Sequence, residues 1–160
     1  MRRILLSIFV VTSIYSTCAI GNVFSDRDSR IMLDLEQRAN VLGQSFADLR
    51  PALHGQPKEC IVELDNELDR IHSVVSQMRT LVFLSSAMSD YRDEQIVDHT
   101  INLESTRGLQ ALSFSRQSVN ETLKYCANFA IVATKGESML AFITAIESVL
   151  RQIADRSARA

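Results

Sequence analysis

Apolar side chains recur along this chain at alternating steps of three and four, the period of a helix that buries one face. The clearest run is Ile61, Leu64, Leu68, Ile71, Val75, Met78 and Val82, with Glu63, Asn66, Asp69, Arg70, Ser73, Gln77 and Thr80 on the other side. A flanking row at sevens, Cys60, Val74, Leu81 and Met88, is interrupted by Glu67. Pro57 suits the first turn, where a proline loses no hydrogen bond, so a long helix is predicted from there. An earlier stripe, Met32, Leu35, Ala39, Leu42, Phe46, Leu49 and Leu53, predicts a helix of about 25 residues. Ser25 or Asp28 can cap it, and Pro51 and Gly55 close it.

A third stripe comprises Leu109, Leu112, Arg116, Val119, Leu123, Cys126, Ala130 and Ala133. Lys135-Gly136 reads as its stop and Ser138 as the cap of a last helix. The stripe of that helix is Met139, Phe142 with Ile143, Ile146, Leu150 and Ile153. Residues 89–108 are ambiguous. Ser89-Asp90 followed by Asp93-Glu94 resembles a helix start, but the apolar stripe beyond it is weak, and an exposed helix and an irregular connection both fit. The fold class expected is all-α, an antiparallel up-down bundle of about four helices. Five glycines and two prolines are too few for a many-turned β-sandwich.

The first segment has a different pattern. Met1-Arg2-Arg3 precedes an apolar run from Ile4 to Tyr15 and then the small residues Ser16, Thr17, Cys18 and Ala19. A positive start, an apolar middle and a small-residue exit predict a signal peptide over residues 1–21, followed by a single domain over 22–160. Cleavage is expected after Gly21, with Ala19 the alternative. The uncharged stretch from Ile4 to Ser25 is long enough for an uncleaved anchor of about 20 residues, but Thr12, Ser13, Ser16 and Thr17 interrupt its apolar character. Lipidation at Cys18 would want different residues at Tyr15 and Thr17. Export is common to all three, to the periplasm in a bacterium and otherwise to the outside.

Loss of that segment leaves Cys60 and Cys126, and two cysteines in an oxidising compartment predict one disulfide. Cys60 flanks the second stripe and Cys126 lies on the third, so both thiols point inward. An antiparallel pairing that sets them opposite each other sets Asp98 opposite Met88, with the turn in residues 89–97 or the same length lost across a kink nearby. No Cys-x-x-Cys occurs, so neither a thioredoxin-like site nor a c-type haem is signalled.

Composition narrows the function. A formal charge of -2 lacks the basic face a nucleic-acid binder needs. No Gly-x-Ser-x-Gly, phosphate-binding glycine loop or His-Glu-x-x-His is present, so no enzyme is indicated. Asp65, Asp69 and His72 fall along one side of the second helix and are the candidate ligands for a divalent ion or other small ligand. Arg116 occupies a seam slot and is the candidate for an anion, although its stem can equally run along the core to water. Met32, Met78 and Met139 are expected to fill gaps in the core rather than ligate haem, and no cofactor or metal is expected. His54 and His99 are expected at the surface. Asn120-Glu121-Thr122 is a glycosylation sequon, meaningful only on a eukaryotic secretory route.

Residues 81–84 are apolar all round the helix, which marks either a helix end buried by neighbouring chain or a contact patch through Leu81, Phe83 and Leu84. The leading expectation is an exported, non-enzymatic interaction protein with a protein partner in the envelope or outside the cell. The alternative is a carrier that holds a small ligand, metal or cofactor between helices.

Overall fold

A computed structural model of the protein describes residues 23–87 and 91–159. The leader read over residues 1–21, with Cys18, lies outside the described residues, as do Met88, Ser89 and Asp90. Among the described residues, four helices follow one another: α1 (Asp26–Leu49), α2 (Gln56–Ala87), α3 (Tyr91–Tyr125) and α4 (Ala130–Ser157), with a 3-10 turn at Arg50–Ala52. No strand occurs among the described residues. The all-α bundle anticipated from periodicity is the fold.

Cross-links between neighbouring helices show that they alternate in direction. Ser29 and Glu36 of α1, and Arg50 just after it, meet Ser86, Arg79 and Asp65 of α2, in descending order. Asp98, Glu104 and Ser118 of α3, and Cys126 just after it, meet Ser85, Gln77, Glu67 and Cys60 of α2. Asn102 and Arg116 of α3 likewise meet Ala154 and Glu147 of α4. α2 packs against all three other helices. α1 and α4 are joined by long side chains: Arg156 pairs with Asp28 at 2.8 Å, and the Arg38 guanidinium lies 5.5 Å from the Phe142 ring centre.

The two ends of α1 have local causes. Ser25 begins α1, its backbone N–H and hydroxyl both donating to Asp28 Oδ2 at 2.9 Å. After α1 the chain tightens into the 3-10 turn at Pro51 and reverses at Gly55, whose φ of 61° is open to glycine at no steric cost. Every residue of the α2 stripe from Ile61 to Val82 is buried, as are Met139, Phe142, Ile143, Ile146, Leu150 and Ile153 of α4. Burying such a side chain stabilises the fold by roughly 1.5–3 kcal/mol.

Two boundaries differ from the sequence reading. Of the ambiguous residues 89–108, those from Tyr91 onward are helical and continuous with the third helix. From Ile96 onward the buried positions of α3 are Asp98, Ile101, Ser105, Gly108, Leu112, Ser115 and Val119, which keep the three-four rhythm with small and polar side chains in the stripe. The break between the last two helices falls after Tyr125, with Phe129 the residue before α4, and not at Lys135-Gly136. Gly136 is buried inside α4, where a Cβ would sit 2.7 Å from Leu123 Cγ. Ser138 is an interior residue of α4 that donates to Thr134 O at 2.9 Å. Gly108 plays the same part in α3: a Cβ there would lie 3.0 Å from both Leu150 and Val74. Both glycines are close-approach points rather than stops.

The disulfide forms. Cys60 and Cys126 are bonded, both buried, with their Cα atoms 6.4 Å apart, inside the range a bridge spans without moving backbone. The register it imposes carries to the far end of the helix pair with a slip of three residues. There Asp98 accepts from Ser85 Oγ at 2.9 Å, where the cysteine pairing alone would set it opposite position 88.

Candidate interaction surface

On the outside of the α1/α2 pair, Ser29, Arg30 and Leu33 face Arg79, Thr80 and Phe83 across a cleft of about 430 Å³. The two apolar members are exposed because each stands one residue past a core position. Met32 and Val82 are fully buried, and the 100° step along a helix turns Leu33 and Phe83 outward, 39% and 59% exposed. Arg79 is held against Glu36 at 2.6 Å, which fixes one wall. Arg30 is exposed beside it. Leu84 is also exposed, whereas Leu81 is half-buried against the core. Of the three residues expected at this patch, Phe83 and Leu84 are open to a partner and Leu81 packs inward. The sequence reading missed Leu33 and Arg30. An apolar residue directly after a stripe position was the available signal, but only the antiparallel register shows which two such residues meet.

The candidate ligand residues are scattered by their pairings. Asp65 is ion-paired with Arg50, and Asp69 is exposed. His72 is half-buried, and its Nε2 is buried with no hydrogen-bond partner among the described residues. No group of three His, Cys, Asp or Glu among the described residues is placed to hold a metal ion. Arg116 reaches the α3/α4 edge, where Nη2 donates to Glu147 Oε2 and Thr144 Oγ1, each at 3.0 Å. Its stem follows the helix seam while its head stays one-third exposed. His54, His99 and Asn120 are exposed.

Two further carboxylates are drawn into the bundle. Glu67, which interrupts the α2 flanking row, is buried; its Oε1 accepts from Arg70 at 2.8 Å and from Ser118 at 3.0 Å. Asp28 is buried under the α1/α4 seam. Burial opposes its ionisation, but hydrogen bonds from Arg156 and from Ser25 outweigh that and hold its carboxyl below the usual value. Ser118 thereby ties α3 to α2 and Arg156 ties α4 to α1, while Glu67 Oε2 is buried with no hydrogen-bond partner among the described residues.

No helix among the described residues is long and apolar enough to cross a membrane. Compared with known protein families, characterised proteins and solved structures, the chain matches none.

Proposed function

We propose that this chain is an exported, non-enzymatic interaction protein that engages a protein partner through the cleft between α1 and α2. The observation that carries the reading is Phe83, a large aromatic ring left 59% exposed beside Leu33 at the mouth of that cleft. Aromatic anchors in pockets dominate protein interfaces, and arginine is enriched around them. The chemistry fits an amphipathic helix from the partner, with an apolar side chain seated between Leu33 and Phe83 and a carboxylate facing Arg30. Export is supported by the leader-like residues 1–21 and by the Cys60–Cys126 bridge, which suits the periplasm of a bacterium or the extracellular space. The carrier alternative has less behind it: Arg116 is taken up by Glu147 and Asp65 by Arg50, which leaves only the exposed Asp69 and the half-buried His72 of the four candidates.

A photo-reactive amino acid at position 83 tests the cleft. The expected result is a covalent adduct to one protein species, weakened by Arg30→Glu and absent when the same probe replaces Asn66 on α2. Equal labelling at both positions would remove the basis for the proposal. The mass of the recovered chain tests export separately: an N-terminus near Asn22 and a mass two hydrogen atoms below the dithiol form are expected.

A further inference from the structure

Apart from the cleft, the large exposed apolar side chains include Val41 of α1 and Ile96, Leu103, Phe114 and Tyr125 of α3. Leu103, Phe114 and Tyr125 are 44%, 73% and 71% exposed. Leu103 precedes Phe114 by eleven residues and Tyr125 follows it by eleven. Eleven residues are close to three helical turns, so the three side chains share one face to within about 20° per step. That face is nearly opposite the buried row through Ile101, Leu112 and Val119.

The charges on this face have the same symmetry. Arg107 stands seven residues before Phe114 and Glu121 seven after it, two turns in either direction. An antiparallel pairing of two α3 helices sets each residue against the one equally far on the other side of the centre. With Phe114 at the centre, the ring meets its own copy, Leu103 meets Tyr125, and Arg107 meets Glu121, each of the unlike pairs occurring twice. A two-fold interface requires this kind of self-complementarity, residue i on j and j on i. A surface that paired like charges at these positions would be excluded.

We infer that the outer face of α3 is a homodimer interface in which a second copy of this chain packs antiparallel, with the two-fold axis at Phe114. Both charges are available to it. Arg107 contacts Glu104 at 2.5 Å within its own helix and remains 63% exposed. Glu121 accepts from Gln117 at 2.9 Å and is also exposed. The surface is separate from the α1/α2 cleft, so a dimer leaves that cleft unobstructed by its own residues.

Sedimentation velocity of the purified chain over a wide concentration range reads the proposal directly. A reversible monomer–dimer equilibrium is expected. Phe114→Glu should abolish it without changing the melting temperature, because Phe114 lies outside the core. Arg107→Glu and Glu121→Arg should each raise the dimer Kd about tenfold or more by opposing like charges twice per interface. The double variant Arg107→Glu with Glu121→Arg should restore wild-type association. Phe114→Cys should oxidise to a covalent dimer linked through identical positions, and Leu103→Cys alone should not. A chain that is monomeric at every concentration overturns the inference. So does a dimer indifferent to Phe114→Glu, or a double variant as weak as its parents.

Discussion

α2 and α3 are neighbours of similar length, 32 and 35 residues, yet their buried stripes are written in different residues. α2 buries Ile61, Leu64, Leu68, Ile71, Val75, Met78 and Val82. α3 buries Ile101, Leu112 and Val119, but Asp98, Ser105, Gly108 and Ser115 share the same stripe. Placement explains the contrast. α2 touches α1, α3 and α4, so its seam must fill space on several sides, and long aliphatic chains do that. α3 approaches α4 and α2 closely at Gly108 and receives Ser85 at Asp98. There a small side chain admits the neighbouring helix and a polar one finds a partner. A helix is therefore specified by the rhythm of its buried positions, and the rhythm can be kept by residues that are not apolar.

Substitution can separate the two modes, and the largest effect belongs to α2. Ile71→Ala is expected to lower unfolding free energy by about 2–5 kcal/mol, since the central helix cannot collapse into the void. The matching change on α3, Ser105→Ala, should stay within about 1 kcal/mol, because its hydroxyl reaches only Met78 Sδ at 4.0 Å. Equal losses at the two sites, measured by denaturant titration, would erase the distinction.

Ser85→Ala sits between these. It strips the hydroxyl donor from a buried carboxylate and should cost about 1–3 kcal/mol. Asp98→Ala added to it should cost less than the sum of the singles, a coupling that a double-mutant cycle reads. The glycines give a contrast of sign. Gly136→Ala must push against Leu123 and is expected to lose about 1–3 kcal/mol despite the better helix propensity of alanine. Gly43→Ala on α1 would place its Cβ 3.6 Å from Leu68, an ordinary contact, and should gain roughly 0.5–1 kcal/mol.

The smallest effect is the pH dependence of the Asp28–Arg156 tie. The folded pKa of Asp28 lies below its unfolded value, so folding favours the ionised form. That contribution is complete above the unfolded carboxylate value of about 3.9 and disappears as pH falls through the lower folded one. Asp28→Asn should flatten this part of the acid limb in unfolding midpoints measured against pH.

The same contrast sets what could be read in advance. The stripes of α2 and α4 are legible because nearly every buried position carries a large apolar residue. The bridge is legible because Cys60 and Cys126 both fall on inward rows. The first half of α3 was not, since a search for apolar letters passes over Asp98, Ser105 and Gly108. Gly136 misled because glycine serves both at helix ends and at close contacts, and only the presence of Leu123 decides between them. At the surface, residues 81–84 looked uniform in sequence. Helix geometry sorts them into a buried Val82, a half-buried Leu81, and an exposed Phe83 and Leu84. Arg116 was legible as a charge in a seam slot; its partner Glu147, 31 residues away, was not.

The covalent bridge also decides how this molecule would respond to force. Cys60 and Cys126 are separated by 66 residues of chain, which fully extended would span about 220 Å. Tension applied at the two ends bypasses all of it through a Cα–Cα distance of 6.4 Å. Only α1, α4 and the short flanks of the ring can pay out length, so a pulled molecule sheds its first and last helices and retains a closed hairpin that no load below bond rupture can draw straight.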